Sequence, residues 1–245
     1  MASVAVELGC DWHTVNRAVI SYGQALLDAD HHRVGPVDAV GLDETLFVRR
    51  GRFRRKQWAT SIVDVDTGQL IDLVPATTAV KVEGWFNSQP ADWCRWIQYG
   101  VLDLSGPYRK VFNSTVLEHV TQIADPFHVI RAANQRLDDC RRRVQNQTLG
   151  HRGHKDDPLY RIRRSLTMAT ERLDHTTIAQ LKTRLAVGDP HDEVEWAYTT
   201  KQAVRHIYHI NNHNDTVDIV GGLAGLMTDK VSPPEVNQLG RMLDR

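Results

Sequence analysis

Cysteine is scarce in these 245 residues: Cys10, Cys94 and Cys140 stand far apart and form no C-x-x-C pair. That excludes a disulfide framework and a cysteine-based zinc site, and it suits a reducing cytoplasm. No run approaches the roughly 18 uninterrupted apolar residues of a membrane helix. No basic segment followed by an apolar core opens the chain, so a secretory leader is not expected either. Net charge is also missing, with 30 Lys and Arg against 30 Asp and Glu. The balance is uneven locally: Arg49, Arg50, Arg52, Arg54, Arg55 and Lys56 form one basic cluster, and Arg141, Arg142 and Arg143 form another. Such clusters suit a phosphate-rich partner, with a solvated charged face as the plain alternative.

Residues 2–22, ASVAVELGCDWHTVNRAVISY, read as a short helix, a turn at Gly9 and a second helix capped by Asp11 or His13. The second helix presents Thr14, Asn16 and Arg17 early, where a helix-turn-helix sets side chains against bases and phosphates. A plain helical hairpin has the same pattern. A polar connector follows over 23–36. Strands are expected at 37–48, 58–65 and 69–74, with a basic loop after the first and a hairpin turn at Asp66-Thr67-Gly68. Residues 79–98 read as helix broken near Pro90, with Trp85, Phe86, Trp93 and Trp96 as a core-facing aromatic set. Further strands are expected at 100–105 and 119–125, each followed by a proline and a helix. From Pro126 the strand signal ends, and helices are expected at 126–147, 158–186, 190–211 and 233–243. GGLAGL (221–226) has neither a preceding strand nor a lysine, which argues against a phosphate loop, and the twelve histidines show no HExxH pattern.

The stretch AVGLDETLFVRR (39–50) sets Asp43 and Glu44 inside a run otherwise suited to a half-buried strand. A carboxylate there is costly unless it is solvated, paired or bound to metal. Three meandering strands, then two more linked through helices, is the order of an RNase H-like α/β fold with a mixed five-stranded sheet. In that order the first and fourth strands run side by side in parallel, about 5 Å apart. Asp43 lies on the first, and Asp103 ends the fourth, where open α/β sheets place ligand residues. Two carboxylates so close are stable as anions with a cation between them. Mg²⁺ (or Mn²⁺) fits, because it takes oxygen ligands from one or two carboxylates and a substrate phosphate. Two such ions about 3.5–4 Å apart would activate a water or a DNA 3′ hydroxyl and steady the leaving oxygen. The plain alternative is that Asp103, with Ser105, caps the next helix. Glu44 points to the opposite face.

The blocks VGLDETLF, WATSIVDVDTGQLIDLV, GVLDLSGPYRKVF, QIADPFHVIRAANQRLDDCRRRVQNQTLGHRGHKDDPLYRIRR and GDPHDEVEWAYTTKQAVRHIY carry a resemblance over nearly the whole chain. They resemble bacterial insertion-sequence transposases of the ISL-three family. The resemblance implies a DDE enzyme in which two aspartates and a glutamate bind divalent metal on an RNase H-like core. By motif match Asp43 is the first aspartate and Asp103 the second, while Asp125 and His128 form the Asp-x-x-His block after the fifth strand. His128 is expected to contact DNA or the surroundings of the second aspartate, with capping of its own helix as the alternative. The implied partner is double-stranded DNA at terminal inverted repeats, bound by a possible homo-oligomer in the bacterial cytoplasm, at the nucleoid. The residues expected on that DNA are Thr14, Asn16 and Arg17, then Arg52, Arg54 and Arg55, and Arg141, Arg142 and Arg143.

Two departures from the family pattern shape the expectation. The family's Asn-Gly-x-x-Glu block, which supplies the glutamate, does not occur in this sequence. The cysteine-containing segment that usually precedes the helix-turn-helix is also missing. The expected organisation is therefore a helix-turn-helix remnant at 1–34, an RNase H-like core at 37–130 lacking its last helix, and a helical insertion at 131–245. A chain truncated at both ends, with an uncovered sheet face and poor solubility, follows from that view. Function is expected to be DNA binding with catalytically incomplete strand cleavage and transfer. The rivals are a non-catalytic, DNA-binding or dimerising fragment that regulates a full-length transposase, and a nuclease of the same fold.

Overall fold

The computed structural model describes residues 2–30, 34–50, 55–104, 106–151, 153–210 and 213–243, with the backbone alone described at 47–50, 55 and 213–215. Arg52, Arg54 and Ser105 lie outside the described residues. The chain divides into two units, one of residues 1–101 and 107–123, the other of 102–106 and 124–245.

The first unit opens with α1 (Ala2–Glu7) and α2 (Trp12–Ala29), joined by a turn in which Gly9 has φ +61°. Asp11 is the cap of α2, accepting the Thr14 amide at 3.1 Å and the Thr14 hydroxyl at 2.8 Å. This satisfies an amide that the helix start leaves without a partner. The connector expected over 23–36 is a correction: α2 runs on to Ala29, as the good helix formers Ala25, Leu26 and Leu27 favour.

Strands β1 (Ala39–Arg50), β2 (Arg55–Asp64) and β3 (Leu70–Val74) form an antiparallel meander. The β2–β3 turn is held by Asp64, whose carboxylate accepts the Asp66 amide at 3.0 Å and the Thr67 hydroxyl at 2.7 Å. The basic loop is half strand, because the register sets Arg49 opposite Lys56 and Arg50 opposite Arg55. Helices α3 (Ala79–Asn87) and α4 (Ala91–Trp96) break at Pro90 as expected, followed by β4 (Tyr99–Leu102), α5 (Gly106–Phe112) and β5 (Thr121–Ala124). The sheet order is β3-β2-β1-β4-β5, with β1 beside β4 as an RNase H-like sheet requires. The Thr121 amide donates to Gln98 and the Asp125 amide to Leu102, both at 2.8 Å. Partners that advance together mean that β4 and β5 are parallel, so the sheet is mixed.

Val40, Ile62, Val82, Phe86, Ile97 and Phe112 are buried at the centre of this unit. Of the four aromatic residues expected in the core only Phe86 is fully buried. Trp85 and Trp93 hold polar partners at Asp72 (2.7 Å) and the Gly35 carbonyl (3.0 Å), and Trp96 is 60% exposed. The buried Tyr108 hydroxyl donates to Thr60 (3.1 Å), which donates in turn to the Ala76 carbonyl (2.7 Å).

In the second unit, α6 (Pro126–Leu149) is the spine. It starts with an aspartate cap and a proline and stops at Gly150, whose φ of +74° suits a residue without a Cβ. Val129, Ala133, Leu137, Cys140 and Val144 recur at helical spacing on its buried face. They form one core with residues of α10 (Glu193–Ile207) and α12 (Pro234–Leu243), among them Val194, Val204, Val236 and Leu239. The single helix expected over 158–186 is corrected to α7 (Pro158–Arg161), α8 (Arg163–Thr167), a 3₁₀ turn (Thr170–Arg172) and α9 (His175–Gly188). The break has a tertiary cause: Lys201 and Gln202 draw off the Met168 carbonyl at 2.6 and 3.1 Å. α11 (His213–Thr228) was not expected, since Gly221, Gly222 and Gly225 oppose a helix. Burial of Ala224 and Met227 holds it.

Candidate functional site

Asp43 sits inside β1, directly after the segment in which the apolar side chains of Val40 and Leu42 are buried. Its own side chain is exposed, so water removes the desolvation cost that the sequence position implied. Its Oδ1 accepts the Glu44 amide at 2.8 Å, and its backbone carbonyl accepts the hydroxyl of Ser61, its register partner on β2, at 3.1 Å. Ser61 also lies 3.2 Å from the Thr45 hydroxyl, so the strand around Asp43 is pinned on its polar side. Glu44 is exposed as well.

Asp103 follows the last residue of β4 directly and is half-buried. β4 neighbours β1 in the sheet, and the carbonyl of Leu102 is the acceptor for the Asp125 amide. Asp43 belongs to the first unit; Asp103, Asp125 and His128 belong to the second.

The structure joins Asp125 and His128. Asp125 caps α6 by accepting the Phe127 amide on Oδ1 at 2.8 Å, and its Oδ2 lies 3.0 Å from His128 Nδ1. One carboxylate thus orients the imidazole while it starts the helix. Tyr208 was missed in the sequence. Burial, and then the negative charge of Asp125, push its phenol up to about 12. No local motif announces Tyr208, because it comes from the end of α10.

A groove of about 990 Å³ runs along α6 and α8. Arg131, Gln135, Asp138, Arg142, Tyr160 and Arg163 are among its lining residues. Arg163 stacks 3.9 Å above the Tyr160 ring and donates to that residue's carbonyl at 2.8 Å. The arginine triplet divides by role. Arg141 is buried and bonded to Asp138 and Gln145. Arg142 is half-exposed on the groove and paired with Asp138. Arg143 is held by Glu193 and Glu235, and the Glu235 hydrogen bond raises its already high pKa. Two of the three guanidiniums expected on DNA are therefore engaged inside the protein. Of the other expected contacts, Thr14 closes the α2 cap, Asn16 is half-buried, Arg17 is exposed, and Arg55 is placed on β2 by its backbone alone.

Hard carboxylate oxygens suit Mg²⁺ or Mn²⁺ in kind. Among the described residues, no three His, Cys, Asp or Glu side chains are grouped so as to hold a metal ion. None of the described helices is long and apolar enough to cross a membrane.

Comparison with known proteins gives a family, relatives in two strains and a solved structure. A profile for DDE transposases of the ISL3 type, described as Transposase, matches residues 40–245. The transposase for insertion sequence element IS1557, from two strains of Mycobacterium tuberculosis, is 27% identical over 135 residues, 55% of this chain. That match spans 29% of the length of these relatives. A chain of the Drosophila P element transposase strand transfer complex aligns with 88% of this chain and 67% of its own, at 11% identity and a TM-score of 0.45.

Proposed function

This chain belongs to the ISL3-type family of DDE transposases, and on that premise we propose that it binds double-stranded DNA at transposon ends through a metal-dependent, RNase H-like site. The observation that supports the reading is the strand order. Asp43 is an exposed carboxylate in the middle of β1, and Asp103 directly follows β4, the neighbouring strand.

Asp43 and Asp103 would hold Mg²⁺ or Mn²⁺, which supplies positive charge for activating a nucleophilic oxygen and stabilising the leaving one. Asp125 holds the His128 ring through Nδ1, and the other ring nitrogen is left for a DNA group or for the surroundings of Asp103. Arg131, Arg142 and Arg163 line the groove as the phosphate contacts. Arg17, together with the β1–β2 hairpin whose register sets basic residue opposite basic residue, extends the cationic surface. Arg52, Arg54 and Arg55 belong to that hairpin segment in sequence.

A second reading concerns activity. No Asn-Gly-x-x-Glu block occurs in residues 1–245, and a polypeptide of these residues alone would bind DNA without completed strand transfer. Residues 1–245 would then hold one ion weakly, lack a ligand for the second, and act as a regulator of a full-length relative.

The test is binding and nicking of inverted-repeat DNA with and without Mg²⁺, using Asp43→Ala and Asp103→Ala as controls. Binding should weaken steeply with salt. Arg131→Ala and Arg163→Ala should each flatten the log–log slope by about one. Metal-dependent nicking lost in both aspartate variants would support the catalytic reading. End binding without nicking would support the regulatory one, and salt-independent binding would defeat both.

A further inference from the structure

We propose that Phe127 is a stacking residue: its ring takes the face of an unpaired base at the end of a DNA strand whose phosphates follow the α6 groove. The inference rests on the DNA reading of that groove and adds to it the state of the DNA end. Phe127 is 66% exposed, although it stands in the first turn of the helix that forms the spine of its unit. The buried face of α6 carries Val129, Ala133, Leu137, Cys140 and Val144, and Phe127 falls outside it.

The ring is placed from the backbone upward. Asp125 caps α6 and accepts the Phe127 amide at 2.8 Å, and Pro126 stands at the first helical position, where its fixed φ suits the helix. The Phe127 ring meets that of His128 edge-on, with centroids 5.4 Å apart and planes at 81°. One edge contact and two-thirds exposure leave a ring face open to water. The neighbouring Asp125 oxygens are already engaged by the Phe127 amide and His128 Nδ1.

Phe127 also lies in line with the groove. It shares one stripe of α6 with Arg131, Asn134, Gln135, Asp138 and Arg142, all of which line the groove, and it is the apolar member of that series. Asp138 is paired with Arg141 and Arg142, so it does not stand there as a lone negative charge. Along the helix axis Arg131 lies about 6 Å from Phe127 and Arg142 about 22 Å. A strand held by its phosphates at Arg142 and Arg131 therefore brings its next nucleotide to the ring. The same end of α6 faces the candidate metal site, because Leu102, the residue before Asp103, accepts the Asp125 amide at 2.8 Å.

The occupant follows from the chemistry of the stripe. A protein partner would need more apolar area than one ring, and the positions beyond Phe127 offer guanidiniums and amides instead. An aromatic ring in series with a cationic groove is how single strands are held, since every base has a π-face. Inside a paired duplex each base face is covered by its neighbours, so the ring needs a base that has left the stack.

The test compares binding of a blunt duplex and of the same duplex ending in a non-complementary fork, at one salt concentration and without divalent metal. The wild type should prefer the fork by about tenfold. Phe127→Ala and Phe127→Leu should bring that ratio close to one, Phe127→Trp should keep it, and Arg131→Ala should weaken both DNAs while leaving the ratio in place. Iodouracil in the fork should photocross-link to Phe127 on peptide mapping. Circular dichroism should be the same for all the Phe127 variants, because the ring is on the surface. Failure of the wild type to bind either DNA at low salt would defeat the DNA reading and the inference with it. Equal affinity for fork and blunt duplex, a fork preference that survives Phe127→Ala, or cross-links confined to other residues would overturn the stacking role and leave the DNA reading standing.

Discussion

Replacing Arg143 with methionine tests whether the second unit is fastened by charge. Methionine keeps much of the apolar stem and removes the guanidinium. In the protein, Arg143 Nε and Nη2 donate to Glu235 at 2.8 and 3.0 Å, and Nη1 and Nη2 donate to Glu193 at 3.1 and 3.0 Å. Three helices, α6, α10 and α12, meet at this one side chain. The Glu235 side chain is 11% exposed and that of Glu193 26%. Stranding a buried carboxylate costs about 3–5 kcal/mol, and losing an exposed pair about 0–1 kcal/mol. Glu235 lies near the first limit and Glu193 nearer the second. With the quarter exposure of Arg143 taken into account, the expected loss at neutral pH is about 3 kcal/mol.

The pH dependence sharpens the test. Burial pushes the Glu235 carboxyl up, but the hydrogen bond and charge of Arg143, with a backbone hydrogen bond, outweigh it and hold the group below 4.5. A folded value below the unfolded one means stability that is present above about pH 4.5 and lost as pH falls through the folded value. Without Arg143, burial acts with less opposition, and protonation relieves the stranded charge. The deficit should therefore shrink between about pH 7 and pH 4. Urea unfolding followed by helical circular dichroism at both pH values measures it. A loss below about 1 kcal/mol at neutral pH, or an equal loss at both, would refute the reasoning.

Gly100→Ala should lower stability by about 1–3 kcal/mol, because a Cβ there would stand 2.5–2.7 Å from ring carbons of the buried Phe112; thermal unfolding would show it. Burial, and secondarily Arg205, push the Lys201 ammonium down to about 8 from 10.5, so the folded protein binds fewer protons than the unfolded chain between those values. Wild-type stability should rise with pH across that window, and Lys201→Met should lack the rise in pH-scanned unfolding. Asp125→Ala removes the α6 cap and should cost about 0.5–2 kcal/mol. It should also lower the Tyr208 phenol from about 12, read as tyrosinate absorbance in an alkaline titration.

Much of the sheet was legible because its signals are local. The Asp64–Gly68 turn, Pro90 and the apolar runs at 39–48 and 58–63 each specify their element within a few residues, and the strand order follows from their sequence. Edges were less legible. The chain of α2 beyond Gly23 looks polar at Gln24 and Asp28, yet Ala25, Leu26 and Leu27 favour continuing the helix. In the other direction, the apolar pattern over 158–186 suggests one helix, whereas Lys201 and Gln202, reaching in from α10, draw off the carbonyl at Met168. A side chain more than thirty positions away leaves no local trace, and neither does the packing that holds the glycine-containing α11.

The arginine triplet shows the same limit at the candidate site. In sequence, Arg141, Arg142 and Arg143 are one positive block, but successive helical residues point about 100° apart. All three border the groove, yet one is buried beside Asp138, one is exposed, and one meets Glu235 from ninety-two positions later. A charge cluster on a helix thus cannot be carried whole to a partner. Arg131 and Arg163, isolated in sequence, join it at the groove because α8 packs beside α6. For Asp43 the local argument served better. On a strand, alternation decides which way a side chain points, so an acid among valine and leucine was already marked as either solvated or ligating. The structure gives it solvent, and a bound divalent ion would use the same exposed oxygens.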